Sequence, residues 1–201
     1  MNNFLAIDTS SRYLTVLAVK GEKIVLNHLP DCAMKHSVIV MGEVEKALKQ
    51  ASLTPSECDF FAAVTGPGSF TGIRIGIATA KGFALGADKP LLPVTSFDLL
   101  AYNVTDENFY TVIDAAHGYY YVCGYGKDRT ITFQPAYLSE SRVCALDAPL
   151  YGFEQLSLPN YTRLDAGKCL YTAVCLNKGK TSETISALYV RKSQAEEGRK
   201  C

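Results

Sequence analysis

The chain has 201 residues, 48% hydrophobic and 20% charged, the mix of one folded domain or two small lobes, which excludes global disorder. Its 20 Lys and Arg balance its 20 Asp and Glu, so the basic excess of a protein that grips nucleic acid alone is missing. No apolar run of about 18 residues is present, and the first residues lack a basic segment followed by an apolar one, so neither a membrane span nor a signal peptide is expected. Cys32, Cys58, Cys123, Cys144, Cys169, Cys175 and Cys201 are odd in number and form no Cys-x-x-Cys pair. They read as reduced thiols of a cytoplasmic protein.

In chain order, Phe4 to Asp8 reads as a buried strand that ends on a carboxylate. Thr9 to Arg12 is a turn and Tyr13 to Val19 a second strand rich in β-formers. Ile24 to Leu29, beyond the turn at Gly21, completes an antiparallel meander. Residues 34–51 keep helical spacing through Val38, Met41, Val44 and Leu48, with Glu43, Glu45, Lys46, Lys49 and Gln50 on the polar side. Val38, Ile39, Val40 and Met41 are consecutive, so this half asks for cover on several sides, from the same chain or a partner. Thr54 to Glu57 breaks the helix, and Asp59 to Thr65 is a strand that runs into Gly66-Pro67-Gly68-Ser69-Phe70-Thr71-Gly72. A long helix follows at about 71–87, stopped by Gly86 and Pro90. Leu91 to Val94 is a short strand, and Thr95-Ser96-Phe97-Asp98 has the form of a capping box that opens a helix through Tyr102.

The pattern then starts again. Phe109 to Asp114 is a strand ending in Asp, as Phe4 to Asp8 is; Tyr119 to Tyr125 follows a turn at Gly118, and Ile131 to Phe133 is a third strand. This echo predicts two related lobes, residues 1–104 and a smaller 105–201, with no assignment between 140 and 189.

A strand, a glycine loop and a helix are how proteins aim backbone N–H groups at a phosphate. The spacing at 66–72 is Gly-x-Gly-x-x-x-Gly, however, which matches neither the dinucleotide fingerprint nor a P-loop. Gly179-Lys180-Thr181 imitates a P-loop ending, but Val174 stands where the upstream glycine belongs. Along the helix, Ile73, Ile77, Ala80 and Ala84 form one stripe and Gly72, Gly76, Thr79 and Phe83 an adjacent one. A helix-interior Gly costs up to about 1 kcal/mol relative to Ala, so Gly72 and Gly76 need a reason. The close approach of another backbone, of this chain or of another, supplies one, and with the over-apolar helix before it a helix-on-helix protein interface is the favoured expectation. Asp8 either positions a metal or water or caps the turn at Thr9 and Ser10. His28, His36 and His117 are far apart, with Val40 four residues after His36, so each reads as a surface or turn residue. Ser10, Ser69 and Ser96 lack a Gly-x-Ser-x-Gly elbow, and Tyr119 to Tyr121 read as alternating strand faces.

Ala6-Ile7-Asp8-Thr9-Ser10, His36-Ser37, Gly66 to Gly76, Ala80-Lys81-Gly82 and the tail Leu188 to Glu196 together resemble the TsaB family, also called YeaZ. The resemblance implies an α/β, two-lobed fold of the actin-like ATPase and sugar-kinase (ribonuclease H-like) type, with mixed sheets flanked by helices. It implies a non-catalytic scaffold and activator in the assembly that installs threonylcarbamoyl on N6 of the adenosine beside the anticodon, in tRNAs reading codons that start with A. The implied partners are a catalytic sibling, TsaD, and an ATPase, TsaE, with a homodimer when the sibling is absent and tRNA touched only indirectly. The siblings are expected to pack through residues 36–51 and 71–86, with Val38, Ile39, Met41, Gly72, Gly76, Thr79 and Phe83 at the interface.

Where the catalytic sibling carries a His-x-x-x-His metal pair, this chain has Val94 to Leu99 without an imidazole. After Asp114 comes Ala115-Ala116-His117-Gly118, and no Gly-Gly pair exists, so a nucleotide site drawn from Asp8, Ser10, Gly66, Gly68 and Asp114 is expected to be degenerate. No metal, cofactor or catalytic residue of its own is expected. The chain departs from the family in carrying Ala116 where Arg is common, and in its short second lobe. The rival readings are an ATP-dependent small-molecule kinase or ATPase working from Asp8 and the turn after Asp114, and a peptidase, which lacks both the metal pair and a triad.

Overall fold

In a computed structural model, which describes residues 3–191, the first strand, β1 (Phe4–Asp8), is buried along its whole length. A strand buried on both faces belongs in the middle of a sheet with a layer on each side. β1 pairs antiparallel with β2 (Leu14–Lys20), and β2 antiparallel with β3 (Lys23–Leu29), which is the expected meander. On its other side β1 pairs parallel with β4 (Phe60–Val64), and β4 parallel with β5 (Leu91–Val94), giving the order β3-β2-β1-β4-β5.

The second sheet repeats this plan. β6 (Phe109–Asp114) pairs antiparallel with β7 (Tyr119–Tyr125), β7 antiparallel with β8 (Ile131–Ser139), β6 parallel with β9 (Leu150–Gly152), and β9 parallel with β10 (Tyr161–Arg163). The echo between Phe4–Asp8 and Phe109–Asp114 is therefore a repeat of topology. β8 runs well past Phe133, where the sequence pattern stopped. Pro135 hides it, and Pro is tolerated because β8 is an edge strand.

Helices complete the layers. α1 (His36–Ala51) and α2 (Phe70–Ala87) cover one face of the first sheet through Val40, Val44, Leu48, Ile73, Ile77 and Ala80, against Leu5, Ile7, Val16 and Phe61. α3 (Ser96–Ala101) opens with the capping box anticipated at Thr95 and Asp98: Asp98 N donates to Thr95 Oγ1 and Thr95 N to Asp98 Oδ2. The short α4 (Glu140–Cys144) backs the second sheet through Val143. α5 (Ala166–Asn177) lies with α3 between the sheets, in a core that runs from Phe4, Leu17 and Phe60 to Phe109, Tyr125 and Phe153. A division at residue 104 separates the two sheets but leaves α5 across from the first sheet that it helps to cover. The segment beyond α5 also returns there: Leu91 and Ser182 exchange backbone hydrogen bonds of 2.8 and 2.7 Å, and Leu188 N donates to Thr65 O. The tail residues Lys192 to Glu196 and Cys201 lie outside the described residues. The six cysteines that are described are unpaired, and among the described residues no helix is long and apolar enough to cross a membrane.

Gly72 and Gly76 have an internal explanation. Both are buried, and both face Thr9 just beyond β1. A Cβ on Gly72 would collide with Thr9 O, and one on Gly76 with Thr9 Oγ1. The bare helix face lets Thr9 Oγ1 donate to Gly72 O at 2.6 Å. These two residues are therefore withdrawn from the expected partner interface, because the backbone they admit is the chain's own. Gly72→Ala and Gly76→Ala are each expected to destabilise the fold by about 2 kcal/mol or more, since the strand end cannot retreat from a packed core. Gly82 faces open space, and Gly82→Ala is expected to stabilise by up to about 1 kcal/mol. Urea unfolding of the three variants measures both signs.

Candidate functional site

Two regions hold the residues singled out from the sequence. The first is the outward surface of α1 and α2. Val38 is 82% exposed and Met41 54%, so the apolar run at 38–41 is covered only at Val40 and, in part, Ile39. On α2, Leu85 is 87% exposed. Gly42, Gly82 and Gly86 have no other part of the chain near the place a Cβ would take. The outward glycines four apart are thus Gly82 and Gly86. Sequence reasoning passed over them because Gly86 served as a helix stop. Thr79 and Phe83 are half-buried: Thr79 Oγ1 donates to Ile75 O, and the Phe83 ring stacks 5.7 Å from that of Phe61. Of the seven expected interface residues, Val38 and Met41 are the exposed ones, Met41 over about half of its surface.

The start of α2 is tied to the end of the described chain. Arg74 lies over the Phe70 ring at 3.8 Å, and its Nε donates to Tyr189 Oη at 2.9 Å. Arg191 Nη1 donates to Tyr137 Oη at 2.7 Å, and Tyr137 stacks on Tyr119 with centroids 4.6 Å apart. The segment 188–191 therefore spans from the glycine loop to the second sheet.

The second region is the set Asp8, Ser10, Gly66, Gly68 and Asp114. The first four share one packed junction. Asp8 is 1% exposed, and its Oδ1 accepts from Ser10 N at 2.8 Å and Ser10 Oγ at 2.7 Å, so the carboxylate caps the turn. Burial raises its pKa, against the lowering effect of the Ser10 bonds. Ser69 N donates to Ser10 O, Gly72 N donates to Ser69 Oγ, and Ser10 O fills the space beside Gly68. Gly66 lies under Ile73 and the Leu188 carbonyl. These two amide hydrogens, among those a phosphate would need, are bound inside the chain, one by the Ser10 carbonyl and one by the Ser69 hydroxyl. Asp114 is exposed and stands on a different wall, where its Oδ1 accepts from Ala116 N in a turn that mirrors the one at Asp8.

That wall belongs to a cleft of about 850 Å³ between the two sheets, lined by Tyr13, His28, Asp31, Asp114, Glu154 and Arg163 among others. Sequence reasoning missed Tyr13 and Glu154. Tyr13 was counted only as a strand residue, and Glu154 follows a three-residue strand too short to show a period. Tyr13 is 6% exposed, and its hydroxyl has no hydrogen-bond partner within 3.5 Å, with Asp8 and Ser11 close by. Burial pushes its phenol pKa up strongly, and the charges of Asp8 and Glu154 add to this. Glu154 Oε2 is buried without a partner; burial, with Asp114 nearby, pushes its carboxyl up to about 6. The histidines do not converge. His28 Nδ1 pairs with Thr15 Oγ1, His117 is exposed, and His36, expected at the surface, is buried with Nε2 2.9 Å from Tyr13 O.

Glu154 gives the cleft a pH signature. Its folded pKa of about 6 exceeds the ordinary 4.5, so between these values the folded chain keeps a proton that the unfolded chain has released. Its contribution to stability is complete below the lower value and is lost as pH rises through the upper one, by about 1–2 kcal/mol. Urea midpoints measured at about pH 5 and about pH 7 are expected to fall more in the native chain than in Glu154→Gln, which cannot titrate.

Comparison with known proteins places the chain among its relatives. A protein-family model described as TsaD, tRNA N6-adenosine threonylcarbamoyltransferase, matches residues 29–166. The tRNA threonylcarbamoyladenosine biosynthesis protein TsaB of Haemophilus influenzae is 29% identical over 178 residues, covering 84% of this chain and 73% of that protein. The protein of the same name from Escherichia coli is 34% identical over 128 residues, covering 62% of this chain and 55% of its own length. The structure of YeaZ from Pseudomonas aeruginosa superposes with a TM-score of 0.77 at 23% identity, over 94% of this chain and all of that one. The fold is thus the two-sheet α/β, actin-like ATPase type that the resemblance implied. The family model matches more than half of the chain, so the chain belongs to the TsaD-type family it describes, and its curated relatives mark it as of the TsaB (YeaZ) kind within that family.

Proposed function

We propose that the chain is a non-catalytic scaffold and activator in tRNA threonylcarbamoyladenosine biosynthesis, docking on a TsaD-type catalytic subunit through the outer faces of α1 and α2. The observation that carries this reading is the exposure of Val38, Met41 and Leu85 on helices that also present Gly42, Gly82 and Gly86 bare. Large side chains left in water next to positions without a Cβ favour close helix-on-helix contact with another chain. The TsaB name carried by relatives from two organisms supports the pathway, and the TsaD family model supports a sibling of similar fold as the partner. In the full assembly the ATPase TsaE joins the pair, a second copy of this chain takes the sibling's place when the sibling is absent, and tRNA is met through the catalytic subunit.

The rival reading as an ATP-dependent kinase or ATPase is less favoured. The glycine loop has turned two of its amides inward, and Ser10 O occupies the space beside Gly68. The peptidase reading finds its three histidines in unrelated places.

Val38→Asp combined with Met41→Asp is expected to weaken co-purification with a TsaD-type subunit by about thirtyfold or more, the loss of about 2 kcal/mol at an interface centre. The melting temperature of the isolated variant should stay unchanged, because both side chains lie outside the core. A complex as tight as that of the native chain would overturn the docking surface. Gly76→Leu cannot serve this purpose, since it strikes Thr9 within the chain.

A further inference from the structure

The cleft between the sheets has unmet hydrogen-bonding capacity. Tyr13 Oη and Glu154 Oε2 are both buried and both line the same space; neither has a hydrogen-bond partner within 3.5 Å, although Asp8 and Ser11 lie close to the phenol and the backbone N–H groups of Phe153, Glu154 and Asp114 close to the carboxyl. A buried polar atom without a partner costs free energy, and a buried carboxylate oxygen costs more, unless a donor arrives to satisfy it. The charges around the cleft indicate which donor. Asp31, Asp114, Glu154 and Asp165 line it, with Asp8 close enough behind Tyr13 to raise the phenol pKa. The cations there have work within the chain: Arg12 Nη2 lies 3.1 Å from Asp31 Oδ1, and Arg163 Nε donates to the Phe153 carbonyl. His28 is engaged with Thr15. Glu154 makes no ion pair among the described residues. The unmet demand is therefore for a positively charged donor. The volume of about 850 Å³ lies in the range of sites for organic ligands, roughly 300–1,000 Å³, and far exceeds what a bare ion fills.

We propose that the cleft binds an organic cation, a primary ammonium or guanidinium group that donates to Glu154 Oε2 and meets Tyr13 Oη. The acidic lining supplies long-range attraction, and Glu154 supplies the charge-assisted hydrogen bond. The same group can arrive on a free small amine or on a Lys or Arg side chain of a docked protein segment. This inference goes beyond the docking role of α1 and α2 and stands or falls separately from it.

Calorimetry of the full chain with agmatine tests the free-amine source, and with N-acetyl-arginine amide the side-chain source. Binding of either probe supports the proposal when Glu154→Gln weakens it about tenfold or more and Tyr13→Phe about fivefold, the loss expected for one charge-assisted and one neutral hydrogen bond. Tyr13→Phe removes one oxygen and fills the same volume, so it keeps the test decisive even if Glu154→Gln were to fold poorly. The proposal is overturned if neither probe binds at about 10 mM, or if a probe binds the two variants as well as the native chain, which would place it elsewhere.

Discussion

The approach of the Thr9-Ser10 turn to the first half of α2 is the constraint on which the other features rest. A strand end can lie against a helix at this distance only where the helix has no side chain, and Gly72 and Gly76 provide that gap. Thr9 Oγ1 then bonds to the Gly72 carbonyl, Ser10 O receives Ser69 N, and Asp8 folds back onto Ser10. One contact thereby fixes β1 against α2, closes the glycine loop on itself and buries the Asp8 carboxylate. It also sets the rotation of α2: with Gly72 and Gly76 inward, Leu85 and Gly82 face solvent. The internal packing and the exposed surface are two results of the same helix orientation.

The parts of the fold with a strong local signal were legible in the sequence. β1 to β7 and the first three helices stood out because burial, turns and caps acted together: Phe4 to Asp8 is continuously apolar up to its Asp, and Thr95 with Asp98 announces α3. The region after residue 140 was opaque for physical reasons. β9 and β10 have three residues each, too few to show an alternation. α5 is held between two sheets by Gly167, Cys169, Ala173 and Val174, and small side chains make a weak stripe even when fully buried. Asp165, which accepts from Gly167 N, is the cap that marks its start.

The functional residues divide along a different line. A residue that acts through its own exposure, such as Val38, can be suspected from an apolar run that is too wide for one buried face. A pair of glycines four apart signals close packing but not with whom; for Gly72 and Gly76 the neighbour is the chain's own Thr9. Tyr13 and Glu154 meet only because the two sheets repeat one topology and face each other across the cleft, a relation that no local pattern carries. Asp8 and Asp114 show the same point in reverse. They end equivalent strands and cap equivalent turns, yet one is sealed in the core and the other is exposed.

The helical layer between the sheets determines how the molecule can move. α3 and α5 share a single apolar core with both sheets, from Phe4 and Phe60 on one side to Phe109 and Phe153 on the other. Swinging the halves apart would drag such side chains into water at about 2 kcal/mol apiece. The segment at Leu188 to Arg191 adds a strap across the seam. The gap is thus a fixed-width slot rather than a jaw, and an occupant would be selected by fitting the spacing already there, with no clamping stroke to help it.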